Sequence, residues 1–403
     1  MSAAVAFALA YLLSYLYRSA NAVISPELTR ELALDPASLG LLTSGYFLAF
    51  DLTQVPAGML LDRYGPRRVE PLLLAVAAAG AFAFAAADSM AELAFARAAI
   101  GMGVAVCLMA PLKAIAVWQP AHRHATLAGW MMVAGGLGAI GATAPLEWAL
   151  RFVPWRTVFV AFGIATLVIA LLLAWRVPDL PRTSQAVGVR AQFAGVRTVF
   201  ASGRFWWIAP LGGLGMGTFM AVQGLWAVPW LMEVEQMTRA GAARVLLVMG
   251  VVMLAGYVGI GLFAQRLARR GVSSRHLFAG GFTLNAVALL CITARVPGTI
   301  AWWALYGLGA AVNVLSFTVL NEGFARTLTA RANTALNLVM FGASFAVQWG
   351  IGVVAETAAR SAGVDGASGL RIAFALVLAM DALALAWFAW GWRRHAIARV
   401  APA

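Results

Sequence analysis

Five ionisable side chains stand inside long apolar stretches of this sequence: Arg18, Asp51, Arg97, Lys113 and Asp381. A charge at the centre of a bilayer costs about 2.5–3.5 kcal/mol on insertion scales, so each one needs a reason. Arg18 stands in Ser14-Tyr15-Leu16-Tyr17-Arg18-Ser19, roughly two-thirds of the way along the first apolar run. A guanidinium there can grip a carboxylate through two parallel hydrogen bonds. The competing role is an arginine stretching to headgroups about 12 Å away. Lys113 is the single lysine of a chain that otherwise places arginine at every basic position, which suits a role for a compact point charge. It also lies near the end of its run, within reach of the interface. Arg97 has a structural partner to hand in Glu92 or a neighbouring carbonyl.

Asp51 precedes Asp62 by about 16 Å of helix, near the midplane of its run. A carboxyl at that depth can load and release a proton, or it can form a permanent ion pair with Arg18 or Lys113. Asp381, in the last run, reads as structural. Neutral groups complete the set: Gln223 with Trp226 one turn on, Asn313 with Ser316, and Asn337 with Gln348. Such amides join helices as readily as they hold a ligand. Met216 and Met220, and again Met249 and Met253, put two thioethers on one helix face. That arrangement suits a soft metal such as Cu(I), or else a flexible core filler.

The elements that carry these residues are set by composition. With 62% of 403 residues hydrophobic and 11% charged, the chain belongs in a bilayer, and about 20 residues make one crossing. Apolar runs predict twelve transmembrane helices, near 4–26, 38–61, 70–87, 91–118, 125–148 and 157–175, then 205–231, 243–264, 276–294, 299–320, 333–355 and 372–391. The expected organisation is an all-α membrane protein: a six-helix bundle over 1–175, a cytoplasmic linker over 176–204 with a surface helix, and a second six-helix bundle with a short tail over 205–403. Landmarks repeat between the halves: Pro26 with Pro229, Gly58 with Gly261 and Arg63 with Arg266 are each offset by 203, and Gly101-x-Gly103 with Gly307-x-Gly309 by 206.

The net charge of +13 comes from arginines in ones to threes at the ends of runs. This is a positive-inside distribution that places both termini in the cytoplasm, and it excludes a nucleic-acid stripe. The N-terminal run lacks a basic leader and reads as the first span. Cys107 and Cys291 lie within spans, where a disulfide is not expected. His122, His124, His276 and His395 all fall in loops or the tail, and no hydrolase, P-loop or metal-cluster motif occurs. The chain is therefore read as no enzyme, without a cofactor.

After the second run stands Gly58-Met-Leu-Leu-Asp62-Arg63-Tyr-Gly65-Pro-Arg67-Arg68, and in the fourth run Arg97-Ala-Ala-Ile-Gly101-Met-Gly103. The first resembles the signature of the major facilitator superfamily, G-x-L-x-D-R-x-G-R-[RK], departing at Pro66. A second copy, Gly261 to Arg270, has Gln265 in place of the acid. Gly58 is expected to admit a neighbouring helix and Gly65 a tight turn. The resemblance implies a conformational latch made of Gly58, Asp62, Arg63, Gly65, Arg67 and Arg68. It also implies a cavity lined by spans 1, 4, 7 and 10, making Arg18, Lys113, Gln223, Trp226 and Asn313 substrate-binding candidates, with Asp51 and Arg97 in proton coupling. Arg18 after Tyr17 is similar to the Tyr/Arg pair of organic-anion members. The expected function is proton-coupled symport of a small organic anion by alternating access. The alternatives are a proton-coupled efflux antiporter, whose span 5 glycine-proline pattern is not matched, and Cu(I) uptake through Met216, Met220, Met249 and Met253. A non-transporting receptor is the remaining class. The expected partners are a small solute, protons and lipids, for a monomer in a bacterial-type inner membrane.

Overall fold

Short polar residues, proline and glycine set the helix boundaries. Asp35 accepts a hydrogen bond from the Ser38 amide at 2.7 Å, and Pro36 supplies a pre-set first helical residue, so a helix starts here and runs over Pro36–Tyr64. It ends at Gly65, whose φ of 78° is open to glycine, and Pro66 starts the next helix at once. Ser89 caps the Glu92 amide at 3.3 Å while the Glu92 carboxylate accepts from the Asp88 amide at 2.9 Å. Ser273 and His276 form a comparable reciprocal cap.

The computed structural model describes residues 3–179, 197–322, 324, 328–363 and 365–397, and among these there is no strand. The first six spans are Ala3–Leu32, Pro36–Tyr64, Pro66–Ala86, the pair Met90–Val104 and Met109–Trp118, Ala121–Gly141, and Trp155–Arg176. Span 7 is Gly203–Ala221 continued to Val234. Spans 8 and 9 are Arg239–Arg269 and Ser274–Thr293. Span 10 is Thr299–Ala310 continued to Asn321, and spans 11 and 12 are Thr329–Ala362 and Gly366–Ile397. Ten of these are long and apolar enough to cross a membrane among the described residues. Pro36–Tyr64, which carries Asp51 and Asp62, and Ala121–Gly141, with its apolar part Thr126–Gly141, complete twelve. The chain is an all-α, multi-pass membrane protein. Most of the expected linker, residues 180–196, lies outside the described residues.

Packing divides the chain into two compact units, Met1–Val187 with Val222–Leu247, and Gly188–Ala221 with Val248–Ala403. The division differs from the expected 175/205 boundaries because Val222–Trp226 and Ala227–Pro229 lie along span 1. Within each unit the repeat is visible as contact. In the first, Gly101 abuts the Tyr46 carbonyl and Gly103 abuts Leu73 and Ala77. In the second, Gly307 abuts the Met249 carbonyl and Gly309 abuts Gly281 and Asn285. Tyr46 and Met249 carry the same 203-residue offset as the motif residues. A side chain at any of these glycines would strike backbone.

Among the described residues spans 4, 7 and 10 are not continuous α-helices, and the fifth apolar run, expected over 125–148, divides into Ala121–Gly141 and Ala144–Ala149. Span 4 breaks over residues 105–108, where the Ala105 and Cys107 amides turn back to Met102 and Val104. Span 7 contains π-helical turns at Val222–Trp226 and Trp230–Val234, and span 10 a 3-10 turn at Ala311–Val314. Interruptions of this kind recur at functional sites in membrane helices. The expected close approach at Gly58 is not seen: among the described residues no group lies within 4 Å of its Cβ position in this conformation.

The two glycine environments give opposite outcomes on substitution. Gly103→Val forces backbone apart between spans 3 and 4, an overpacking cost of about 1–3 kcal/mol or more, and should lower the melting temperature of the purified protein. Gly58→Ala should leave the unfolding free energy within about 1 kcal/mol of the parent.

Candidate functional site

Successive residues of span 1 face different neighbours, and that separates two arginines into two roles. The Tyr17 hydroxyl lies 2.9 Å from Thr166 Oγ1 on span 6, while the Tyr17 carbonyl accepts a 2.8 Å hydrogen bond from Arg97 Nη1 on span 4. The Arg97 guanidinium also sits 4.9 Å from the centre of the Tyr46 ring, and its residue is 1% exposed. A charge sealed in this way ties spans 1, 2 and 4 together. Arg18, one residue on, is buried with its guanidinium 4.5 Å from the Tyr15 ring centre and 5.3 Å from that of Phe50. Tyr11 meets Tyr15 edge to face at 5.1 Å, extending an aromatic wall along span 1. Cation–π contact lets such rings hold a guanidinium without neutralising it.

Other expected residues lie on elements packed in the same unit. Gln223 and Trp226 are buried in the π-helical turn that lies along span 1. Asp51 follows Phe50 on span 2 and is half-buried; its Oδ1 atom is shielded from water and has no hydrogen-bond partner. Among the described residues Asp51 forms no ion pair with Arg18 or Lys113. Asn313 belongs to the second unit, where its amide donates to the Ala310 carbonyl at 2.9 Å within the 3-10 turn.

The structure places Lys113 away from Arg18. Its ammonium donates to Asp62 Oδ1 and to the Leu61 carbonyl, each at 2.7 Å. The chain's one ammonium thus holds the end of span 2 against span 4, within the signature segment. Arg67 donates to Asp179 at 3.1 Å and to the Ala174 carbonyl at 3.1 Å, and Arg68 is 3.9 Å from Asp179. Arg63 lies over the ring of Tyr64. These contacts join the start of span 3 to the end of span 6.

In the second unit, Asp381 accepts from the Thr218 hydroxyl at 3.0 Å, tying span 12 to span 7. Met220 accepts from the Ser344 hydroxyl at 3.3 Å, Met216 packs against the hydrophobic core, and Met249 and Met253 are buried. Among the described residues no group of three or more His, Cys, Asp or Glu side chains could hold a metal ion.

Several functional-looking contacts had no signal in the sequence. Glu27, near the end of span 1, pairs with Arg239, the first residue of span 8. Glu31 accepts from Trp155 Nε1 at 3.1 Å and from Arg156 at 2.7 Å, and Arg156 reaches Asp88 at 3.1 Å. Charges at span ends are ordinary, so their type and spacing do not single them out. Glu70, the first residue of an apolar run, is fully buried.

Comparison with known proteins agrees with this architecture. The sequence profile of the Major Facilitator Superfamily matches residues 7–348. The galacturonate transporter of Dickeya chrysanthemi is 31% identical over 159 residues, 40% of this chain and 46% of that protein. The hexuronate transporter of Escherichia coli (strain K12) is 30% identical over 163 residues, 40% of this chain and 37% of that protein. The chain thus spans less than half the length of these curated relatives. Among solved structures, a bacterial homolog of the human lysosomal transporter Spinster, inward-facing and unoccupied, superposes with a TM-score of 0.79 at 18% identity, covering 100% of this chain and 98% of that one. A D-xylose–proton symporter superposes at 0.74 with 17% identity, covering 96% of each.

The Asp62–Lys113 pair has side chains 48% and 26% exposed, and exposed pairs contribute only about 0.2–1 kcal/mol to stability. Asp62→Asn should therefore leave the melting temperature nearly unchanged. Amide exchange at the end of span 2 should accelerate in hydrogen-exchange mass spectrometry, since the Lys113 tether to Leu61 loses its charge partner.

Proposed function

We propose, for a chain that belongs to the Major Facilitator Superfamily, secondary active transport by alternating access, in which a small sugar acid moves together with protons. The observation that carries this reading is Arg18, a guanidinium buried within a spanning helix and faced by the Tyr15 and Phe50 rings. Its planar fork suits a carboxylate, and aromatic faces suit the C–H surfaces of a sugar ring. Galacturonate and hexuronate combine these two chemistries, and they are the solutes in the names of the relatives above.

Gln223 supplies an amide for substrate hydroxyls, and Trp226 closes the packing behind it. Asp51 carries the proton. It sits next to Phe50, so an ionised Asp51 stands on the same stretch of span 2 that faces Arg18, and its charge disfavours a second anion nearby. Protonation removes that repulsion, which makes loading of proton and sugar acid mutually favourable. Arg97 keeps span 1 in register for both groups through the Tyr17 carbonyl. Asp62, Lys113, Arg67 and Arg68 hold the ends of spans 2, 3, 4 and 6 in one state of the cycle. Both termini are placed in the cytoplasm and the protein in a bacterial-type inner membrane, on the distribution of arginine.

Two outcomes check the assignment. Arg18→Gln should weaken D-galacturonate binding by about 10- to 100-fold, the loss of a charge-assisted hydrogen-bond pair, with little change in melting temperature; Arg18→Lys should recover only part of it. Isothermal titration on purified protein reads both, and unchanged affinity in Arg18→Gln would remove Arg18 from the site. Asp51→Asn, which imitates the protonated form, should still exchange galacturonate across proteoliposomes but fail to accumulate it against a pH gradient.

A further inference from the structure

Glu70 has no part in the mechanism above, yet its setting is the least ordinary of any acid in the chain. It lies in the second turn of span 3, two residues past Arg68, and its side chain is 0% exposed. Neither carboxyl oxygen reaches water or a hydrogen-bond partner. The packing of spans 3 and 4 determines what it faces. These helices run antiparallel in close register: Gly80 abuts Ala96 and Ile100, and Gly103 abuts Leu73 and Ala77. One turn further along, the same register brings Glu70 opposite Cys107, which is also fully buried and lies within its electrostatic reach. Cys107 stands inside the break of span 4 over residues 105–108. The carboxyl is thus set between the signature turn at Gly65 and the one interruption in the helix it packs against.

Among the described residues the charged groups on the neighbouring elements have partners of their own, and Arg18 of span 1, which also lies within electrostatic reach of Cys107, packs on the Tyr15 and Phe50 rings. On span 2, Asp62 binds Lys113 of span 4, Arg63 lies over Tyr64, and Asp51 stands about three turns before Asp62. On span 4, Arg97 binds the Tyr17 carbonyl and Glu92 the Asp88 amide. On span 6, Arg156 binds Glu31 and Asp88, and Arg176 lies over Trp175. Arg67 and Arg68, on span 3 itself, turn to Asp179.

An ionised carboxylate without a donor is untenable in such a place, whereas the neutral acid is tolerated. We infer that Glu70 is a proton-binding site whose occupancy follows the conformational cycle. It keeps its proton in the conformation seen here. It gives the proton up when spans 3 and 4 part at the break and water reaches the carboxyl. In that step the carboxylic O–H bond breaks, the proton passes to a water molecule and the carboxylate remains hydrated; closure reverses it. The break in span 4 provides the weak point, because its residues lack the full set of α-helical hydrogen bonds that would resist separation. The role in coupling rests on the proton-symport reading, while proton occupancy at Glu70 does not.

Infrared difference spectroscopy on the full-length protein, labelled with carbon-13 at glutamate side chains, separates the two. The wild type in lipid should show a protonated glutamate carbonyl band at neutral pH that changes on adding D-galacturonate and is missing in Glu70→Gln. In proteoliposomes Glu70→Gln should exchange galacturonate while its pH-driven accumulation falls at least tenfold. Absence of the band from the wild type, or a band indifferent to galacturonate in protein that isothermal titration shows to bind it, overturns the proposal without any need for the variant to fold. Undiminished accumulation in Glu70→Gln also overturns it. If the wild type itself accumulates no galacturonate under a pH gradient, the symport reading falls, and the infrared band alone decides whether Glu70 is a conformation-linked proton site.

Discussion

A cation placed inside a bilayer has to receive its partners from the protein, because lipid supplies none. Most of the first unit can be understood from how it meets this demand. Arg97 is met by a backbone carbonyl of span 1 and the Tyr46 ring, which fixes three helices around it. Lys113 is met by Asp62 and a carbonyl at the end of span 2. Arg18 packs on the Tyr15 and Phe50 rings, and is the group proposed to take an anion. Three cations of two residue types at membrane depth therefore yield a structural tie, a tether at the signature segment and a proposed binding group. Their neighbours, not their charge, make the difference.

Helix continuity is traded against this chemistry. Backbone contacts at Gly101, Gly103, Gly307 and Gly309 press helices together tightly within each unit. Spans 4, 7 and 10 nevertheless give up regular hydrogen bonding in their middle turns. Rigid glycine contacts beside irregular turns give each unit stiff segments with defined points of compliance. That combination suits a protein proposed to cycle between two states. Glu70 and Cys107 lie where a stiff contact ends and a compliant turn begins, as do Gln223 and Trp226 in span 7.

Much of the architecture was legible in the sequence because hydrophobic length is a strong signal and the signature segment is specific. The span limits, the turn at Gly65 and the two-fold repeat all follow from residues that must occupy those places. For Arg97 the sequence left Glu92 and a carbonyl open, and the Tyr17 carbonyl of span 1 is the partner found. Less was legible where the answer depends on which neighbour arrives. Nothing in the local sequence says that Lys113 meets Asp62, 51 residues away, or that the packing boundary falls within span 7. Gly58 illustrates the opposite case: a residue suited to close packing whose Cβ position has no group within 4 Å among the described residues. Glu70 escaped notice because an acid at the start of an apolar run ordinarily faces water, and only the register of spans 3 and 4 shows that it does not.

The central claim is that movement of a sugar acid is driven by protons. The most direct measurement follows D-galacturonate uptake and lumenal pH together in proteoliposomes containing the wild-type protein. The account predicts that adding galacturonate starts proton movement in the same direction as the sugar acid, and that a protonophore abolishes accumulation while leaving exchange intact. Galacturonate movement with no accompanying proton flux, at a rate indifferent to the protonophore, would contradict it.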